Sequence, residues 1–267
     1  MVIAMDFYPT RYSNLSNNEV NELYRSEVWT ELSLNERTDA LQELANRSAE
    51  ALGNEPCEVK LESMSGATYG MYRNGEIYIN ESLVEKGVLS VQVDNEITEY
   101  PPGDVNAQLM DTVHHENYHA YQVDVMVGAV EHDNAGEVEL WQANDLDANY
   151  IDEGSLYPIQ SLEKSAFEYG ERQTKTSFEE IEATHGEDTG YQNYLEYITN
   201  HSYENALANA QEMYDNENIE ATLNEQMMSN YQDSLVNENT NESEISTEES
   251  NDMSISETLS DSDDYSL

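Results

Sequence analysis

An α+β fold is predicted from three observations. The chain has an early capped helix, then three short alternating segments joined by an Asn-Gly turn, and then a mainly helical remainder. Strands come first and most helices later, with no internal repeat, so helices segregated to one side of a small sheet are expected. At 267 residues the chain has room for one domain of about 200 residues with appendages. The expected divisions are an irregular segment over 1–17, a domain over 18–215 and a tail over 216–267.

Asn18 to Glu31 reads as a short helix. Ser33 and Glu36 have capping-box spacing; Leu41, Leu44, Ala45, Ala49 and Leu52 then recur at helical spacing until Gly53 supplies a stop. Glu58 to Glu62 alternates, Thr68 to Tyr72 is aromatic-rich, and Glu76 to Asn80 reads Glu-Ile-Tyr-Ile-Asn. Arg73-Asn74-Gly75 joins the last two, because Asn-Gly favours the positive φ values of a hairpin turn. A small antiparallel sheet is expected. Pro101-Pro102-Gly103 interrupts the chain, and Asp104 can cap a helix from Val105 to Val127, ended by Gly128. Further helices are expected near Glu137 to Tyr150, Ile159 to Thr176 and Tyr191 to Tyr214.

Charge excludes two classes of partner. With 56 acidic against 10 basic residues, the net charge of −46 repels both nucleic acid and anionic membrane surfaces. Lys175 is the last basic residue, and the stretch from Asn216 carries 14 acids without a base, a composition expected to be disordered. The only cysteine, Cys57, permits no intramolecular disulfide and is expected to be a small buried hydrophobe. The first residues carry neither a basic n-region nor an adequate apolar run, and no segment approaches the roughly 20 apolar residues of a membrane span. A cytoplasmic location is expected, export by a dedicated secretion system aside.

The predicted helix over 105–127 contains His115-Glu116-Asn117-Tyr118-His119. Imidazoles four residues apart on a helix project from one face, so both can reach a single Zn²⁺ at about 2.0 to 2.1 Å. Glu116 would lie beside a water on that ion, whose pKa zinc lowers towards ~7, and is the natural general base. Positions 113, 117, 118 and 120 are uncharged in a very acidic chain, as a deeply packed helix demands. His114 lies five positions from His119 and so on another face; packing or a supporting hydrogen bond is its expected role.

With this HExxH motif the sequence resembles the zincin metallopeptidases, and within them the gluzincins, whose third ligand is a Glu on a later helix. The metzincin extension would need Gly and His where Gln122 and Val125 stand. Tyr157-Pro158-Ile159-Gln160-Ser161-Leu162-Glu163-Lys164-Ser165-Ala166 is similar to the gluzincin Glu-x-x-Ala segment, and to a Tyr-x-x-Gln-Pro-x-Glu-x-x-Ala pattern of small bacterial and phage HExxH domains, with Ser161 replacing the proline. Phe167 stands where gluzincins often carry an Asp that supports a histidine. The resemblance, which covers residues 65–170, implies a zincin-like fold with the sheet packed on the active-site helix, and Glu163 as third ligand. Glu163 also shares a helical face with the small residues Ala166 and Gly170, which would let its helix approach closely, whereas Glu137 and Glu139 read as solvated and Asp152 and Glu153 as loop. It further implies that Glu76 to Asn80 could be the edge strand that pairs with an extended substrate, an ordinary structural hairpin being the alternative. The oxyanion donor that zincins provide could be Tyr157, His185 or His201.

The expected activity is therefore zinc-dependent hydrolysis of a peptide or protein substrate. The alternative is a zinc-bearing regulatory or toxin-like effector with one partner substrate or no peptidase activity. A merely structural zinc would call for four protein ligands, and only three are visible.

Overall fold

The computed structural model describes residues 7–64, 68–90 and 97–236; the ends of the expected N-terminal segment (1–6) and tail (237–267) lie outside them. The fold is α+β and mostly helical, with a three-stranded mixed sheet. Its elements are α1 (Asn17–Glu22), α2 (Ser26–Glu31), α3 (Leu34–Leu52), β1 (Glu58–Glu62), β2 (Gly70–Arg73), β3 (Glu76–Asn80), α4 (Glu81–Lys86), β4 (Val88–Ser90) and β5 (Ile97–Glu99). They continue with α5 (Asn106–Met126), α6 (Ala135–Asn144), α7 (Ser161–His185), α8 (Thr189–Asn200) and α9 (Tyr203–Tyr214). Residues 7–15 carry no helix or strand but are tied to α3, where Thr10 donates to Glu43 Oε2 at 2.7 Å and Asn46 donates to the Tyr8 carbonyl at 2.7 Å.

The capping box at Ser33 and Glu36 forms, and Gly53 ends α3 at φ 80°. The expected helix over 18–31 is instead two short ones, because the chain turns Tyr24 inwards to stack on Trp29 at 5.0 Å, both fully buried. The sheet corrects the antiparallel expectation. The β2–β3 hairpin closes through Asn74 and Gly75, both at positive φ, but β1 pairs with β3 in parallel, giving the order β1-β3-β2. The fully buried Ile77 and Ile79 put β3 in the centre, so Glu76 to Asn80 is no edge strand; β2 is. A separate antiparallel pair, β4–β5, precedes α5.

Asp104 does not cap α5. It belongs to a 3₁₀ turn, Pro102–Asp104, and the helix starts after Val105 without a side-chain cap. α6 ends at Asn144, leaving Tyr150 in a loop, and α7 runs on to His185. The expected helix over 191–214 breaks where Ser202 caps α9 by accepting from the Asn205 amide. Residues 219–236 are also helical. Ile219 packs beside Ala210 and Ile159, and Met227 is buried, so composition misplaced the end of packed structure at 216. An acidic helix can still bury one apolar stripe.

The main core joins α2, α3, the sheet, α4, α5, α7 and α8, with α5 crossing its middle. Among the described residues no helix is long and apolar enough to cross a membrane.

Candidate metal centre

Helix α5 is buried along most of its length, including His114, His115, Glu116 and Asn117. His115 and His119, one turn apart, present Nε2 atoms 3.1 Å from each other. α7 brings Glu163 against them. Its Oε2 lies 3.4 Å from His115 Nε2, its Oε1 lies 3.5 Å from His119 Nε2, and it is 1 % exposed. All three donor groups lie within 4.8 Å of one another, so this group could hold a metal ion.

Gly170 permits the approach. A Cβ there would stand 3.0 Å from the Asp111 carbonyl oxygen and 3.4 Å from the His115 amide nitrogen, both backbone atoms of α5. On the other side Gly70 of β2 lies against Thr112, and the Tyr72 backbone lies against the Glu116 carboxylate.

Gln122 settles the tautomer of His119. Its amide nitrogen donates to the Leu162 carbonyl and to Ser165 Oγ, both at 3.0 Å, which turns its Oε1 towards His119 Nδ1 at 2.7 Å. Nδ1 of His119 therefore carries a proton, and Nε2 is the nitrogen left to face Glu163 or a metal. The Tyr150 hydroxyl donates to Glu163 Oε1 at 2.7 Å, while Oε2 is buried without a hydrogen-bond partner. Burial alone would raise Glu163, but the two imidazoles hold it far below the usual carboxylate range. Burial alone would lower His119, but the Glu163 carboxylate raises it to about 9. Glu116 is raised by burial, opposed by both histidines. The donor set suits a divalent cation: two imidazole nitrogens, an ionised carboxylate and an orphaned buried oxygen.

Three expected positions separate here. Tyr157 is in the site, its hydroxyl beside Glu163 and Tyr150. His185 is engaged elsewhere, with Glu22 at 2.9 Å, and His201 stacks on Tyr197 at 4.3 Å, so neither belongs to the cluster. Phe167 packs its ring on His115 at 4.5 Å in place of a supporting carboxylate. His114 faces away, with Nδ1 3.2 Å from Ser48 Oγ on α3, and burial pushes its pKa down to about 4. Cys57 is buried and its thiol is pushed up to about 12, an inert group.

Gln122 and Tyr150 were missed in the sequence. Gln122 sits three residues after His119 on the same face, a readable signal; Tyr150 has none, since only the folded loop carries it to Glu163. Comparison with protein-family profiles, with curated proteins and with solved structures returns no match.

Proposed function

We propose that the chain is a zinc-dependent peptidase of gluzincin type, with His115, His119 and Glu163 as ligands and Glu116 as general base. The observation that carries this reading is the convergence of His115 Nε2, His119 Nε2 and the unpartnered Glu163 Oε2, with Glu116 buried next to the first ligand. Three ligand groups, and no fourth His, Cys, Asp or Glu among the described residues, favour a site open to substrate over a closed structural one.

Zinc, when bound, supplies a Lewis acid that acidifies a water and polarises the substrate carbonyl. Glu116 takes the proton of the attacking water and delivers it to the leaving amine, and its burial brings its pKa closer to that task. Gln122 and Tyr150 hold His119 and Glu163 in place, and the Tyr72 backbone lies beside the Glu116 carboxylate. Tyr157 is the hydroxyl available to donate to the carbonyl oxygen as charge develops there. The outer edge of β2, without a strand partner among the described residues, can receive an extended peptide.

The test is elemental analysis joined to a base substitution. Protein expressed with ample metal should carry close to one zinc per chain, and Glu116→Gln should keep that zinc while losing hydrolysis of unfolded casein. Absence of any transition metal would sink the reading, and undiminished activity in Glu116→Gln would remove the assigned base.

A further inference from the structure

Along α5, upstream of the metal cluster, lies a cleft of about 70 Å³ lined chiefly by Tyr69, Tyr100, Asp104, Gln108, Asn193 and Tyr197. The rings of Tyr69 and Tyr197 meet at 6.0 Å and 55°, with Tyr100 beside them in the wall. The Gln108 side-chain oxygen is buried without a hydrogen-bond partner, and the Asp104 carboxylate makes no ion pair among the described residues. None of the chain's 10 basic residues lines the cleft. Aromatic faces, a free carboxylate and an unmatched carbonyl oxygen together make an environment for a cation that donates hydrogen bonds. About 10–15 Å³ of such space holds one water, so the cleft has room for an ammonium or guanidinium head.

Its position follows from two spacings that agree. β2 and α5 run side by side in the same direction, with Gly70 against Thr112 and Tyr72 against Glu116. Gln108 precedes His115 by seven residues, about 10 Å of helix. Tyr69 precedes Tyr72 by three, again about 10 Å of extended chain. A peptide laid along β2 with its scissile bond at Glu116 therefore brings the side chain about three residues away over the cleft.

We propose that this cleft is a specificity subsite for a lysine or arginine of the polypeptide substrate, about three residues from the scissile bond. The inference rests on the peptidase reading and adds a substrate class to it. A chain of −46 attracts any basic peptide at long range, so the test must separate the cleft from bulk charge.

The zinc-loaded protein is given a peptide library varied around the cut, then matched peptides with Lys or Gln at the enriched position. Wild type should favour Lys about tenfold in kcat/KM. Asp104→Asn should cut that preference to about twofold, Gln108→Lys should reverse it, and Glu131→Gln, an exposed residue carrying the same unit charge, should leave it intact. Cleavage without a basic preference, or an equal loss in Glu131→Gln, overturns the proposal. Binding of the same peptides to zinc-loaded Glu116→Gln separates the two readings. If nothing is cleaved but Lys peptides bind in an Asp104-dependent way, the peptidase reading fails and the cleft stands; binding indifferent to Asp104 overturns the cleft as well.

Discussion

Replacing Gly170 by Ala tests how Glu163 is delivered to the two histidines proposed to share a metal with it. The added Cβ would stand 2.6 Å from Asp111 Oδ1, 3.0 Å from the Asp111 carbonyl oxygen and 3.4 Å from the His115 nitrogen. The carboxylate can swing aside, but the carbonyl belongs to the backbone of α5, so α7 must retreat by roughly 0.5 Å to restore normal contact. Overpacking of this kind costs about 1–3 kcal/mol, and alanine's higher helix propensity returns about 1 kcal/mol, so the net loss of stability should stay below about 2 kcal/mol. Metal affinity responds differently. Ligand distances hold to about ±0.2 Å, and Glu163 rides on the displaced helix two turns from the clash. A loss of tenfold or more in zinc affinity is expected, at 1.4 kcal/mol per factor of ten. Chelator competition reads the affinity and urea denaturation of the metal-free protein reads the stability. Unchanged zinc affinity with a more stable protein would refute the close-approach argument.

Two further outcomes are expected. Ending the chain at 215 should lower the melting temperature by several degrees, because it exposes the pockets filled by Ile219 and Met227, worth about 1.5–3 kcal/mol per side chain, whereas ending it at 236 keeps both; equal melting of the two truncations would show that the 219–236 helix contributes nothing. His114 is buried neutral with its pKa near 4 against about 6.5 unfolded, so the stability it contributes is present above pH 6.5 and lost as pH falls towards 4. The advantage of wild type over His114→Asn in urea denaturation should shrink by up to about 3 kcal/mol across that window, and a pH-independent difference would contradict it.

What the sequence made legible was local. The Ser33 box, the Asn74-Gly75 turn and the i, i+4 histidines each work through neighbours within one turn or hairpin, so residue types at short spacing suffice. The parallel β1–β3 pairing was illegible because its partners are joined through β2, and the alternation of Glu58 to Glu62 is the same for either direction. Tyr150 was misread as helical, since the break after Asn144 depends on a long-range bond, Asn144 accepting from the Leu162 amide at 3.0 Å, and on a local one that no regular spacing announces, Asn149 donating to the Ala143 carbonyl at 2.6 Å. The helix over 219–236 had a signal that its acids concealed. Ile219, Leu223 and Met227 recur every four residues, a stripe that net charge per segment does not register.

That stripe bears on Glu163 through a short chain of contacts. Asn149 donates to the Met227 carbonyl at 3.0 Å and accepts from Asn230 at 2.6 Å, fastening the 219–236 helix to the loop that carries Tyr150. Tyr150 in turn holds Glu163 Oε1, and Lys164, the next residue on α7, pairs with Glu220 at 2.8 Å. Both sides of Glu163 are thereby tied to a segment that composition alone assigned to solvent. A buried carboxylate opposite two imidazoles needs such ties, because without them it could turn its unpartnered oxygen towards any competing donor. The acidic C-terminal helix is therefore part of the frame around the candidate site, and its contacts run in the order Met227 to Asn149 to Tyr150 to Glu163, holding that carboxylate against the two histidines.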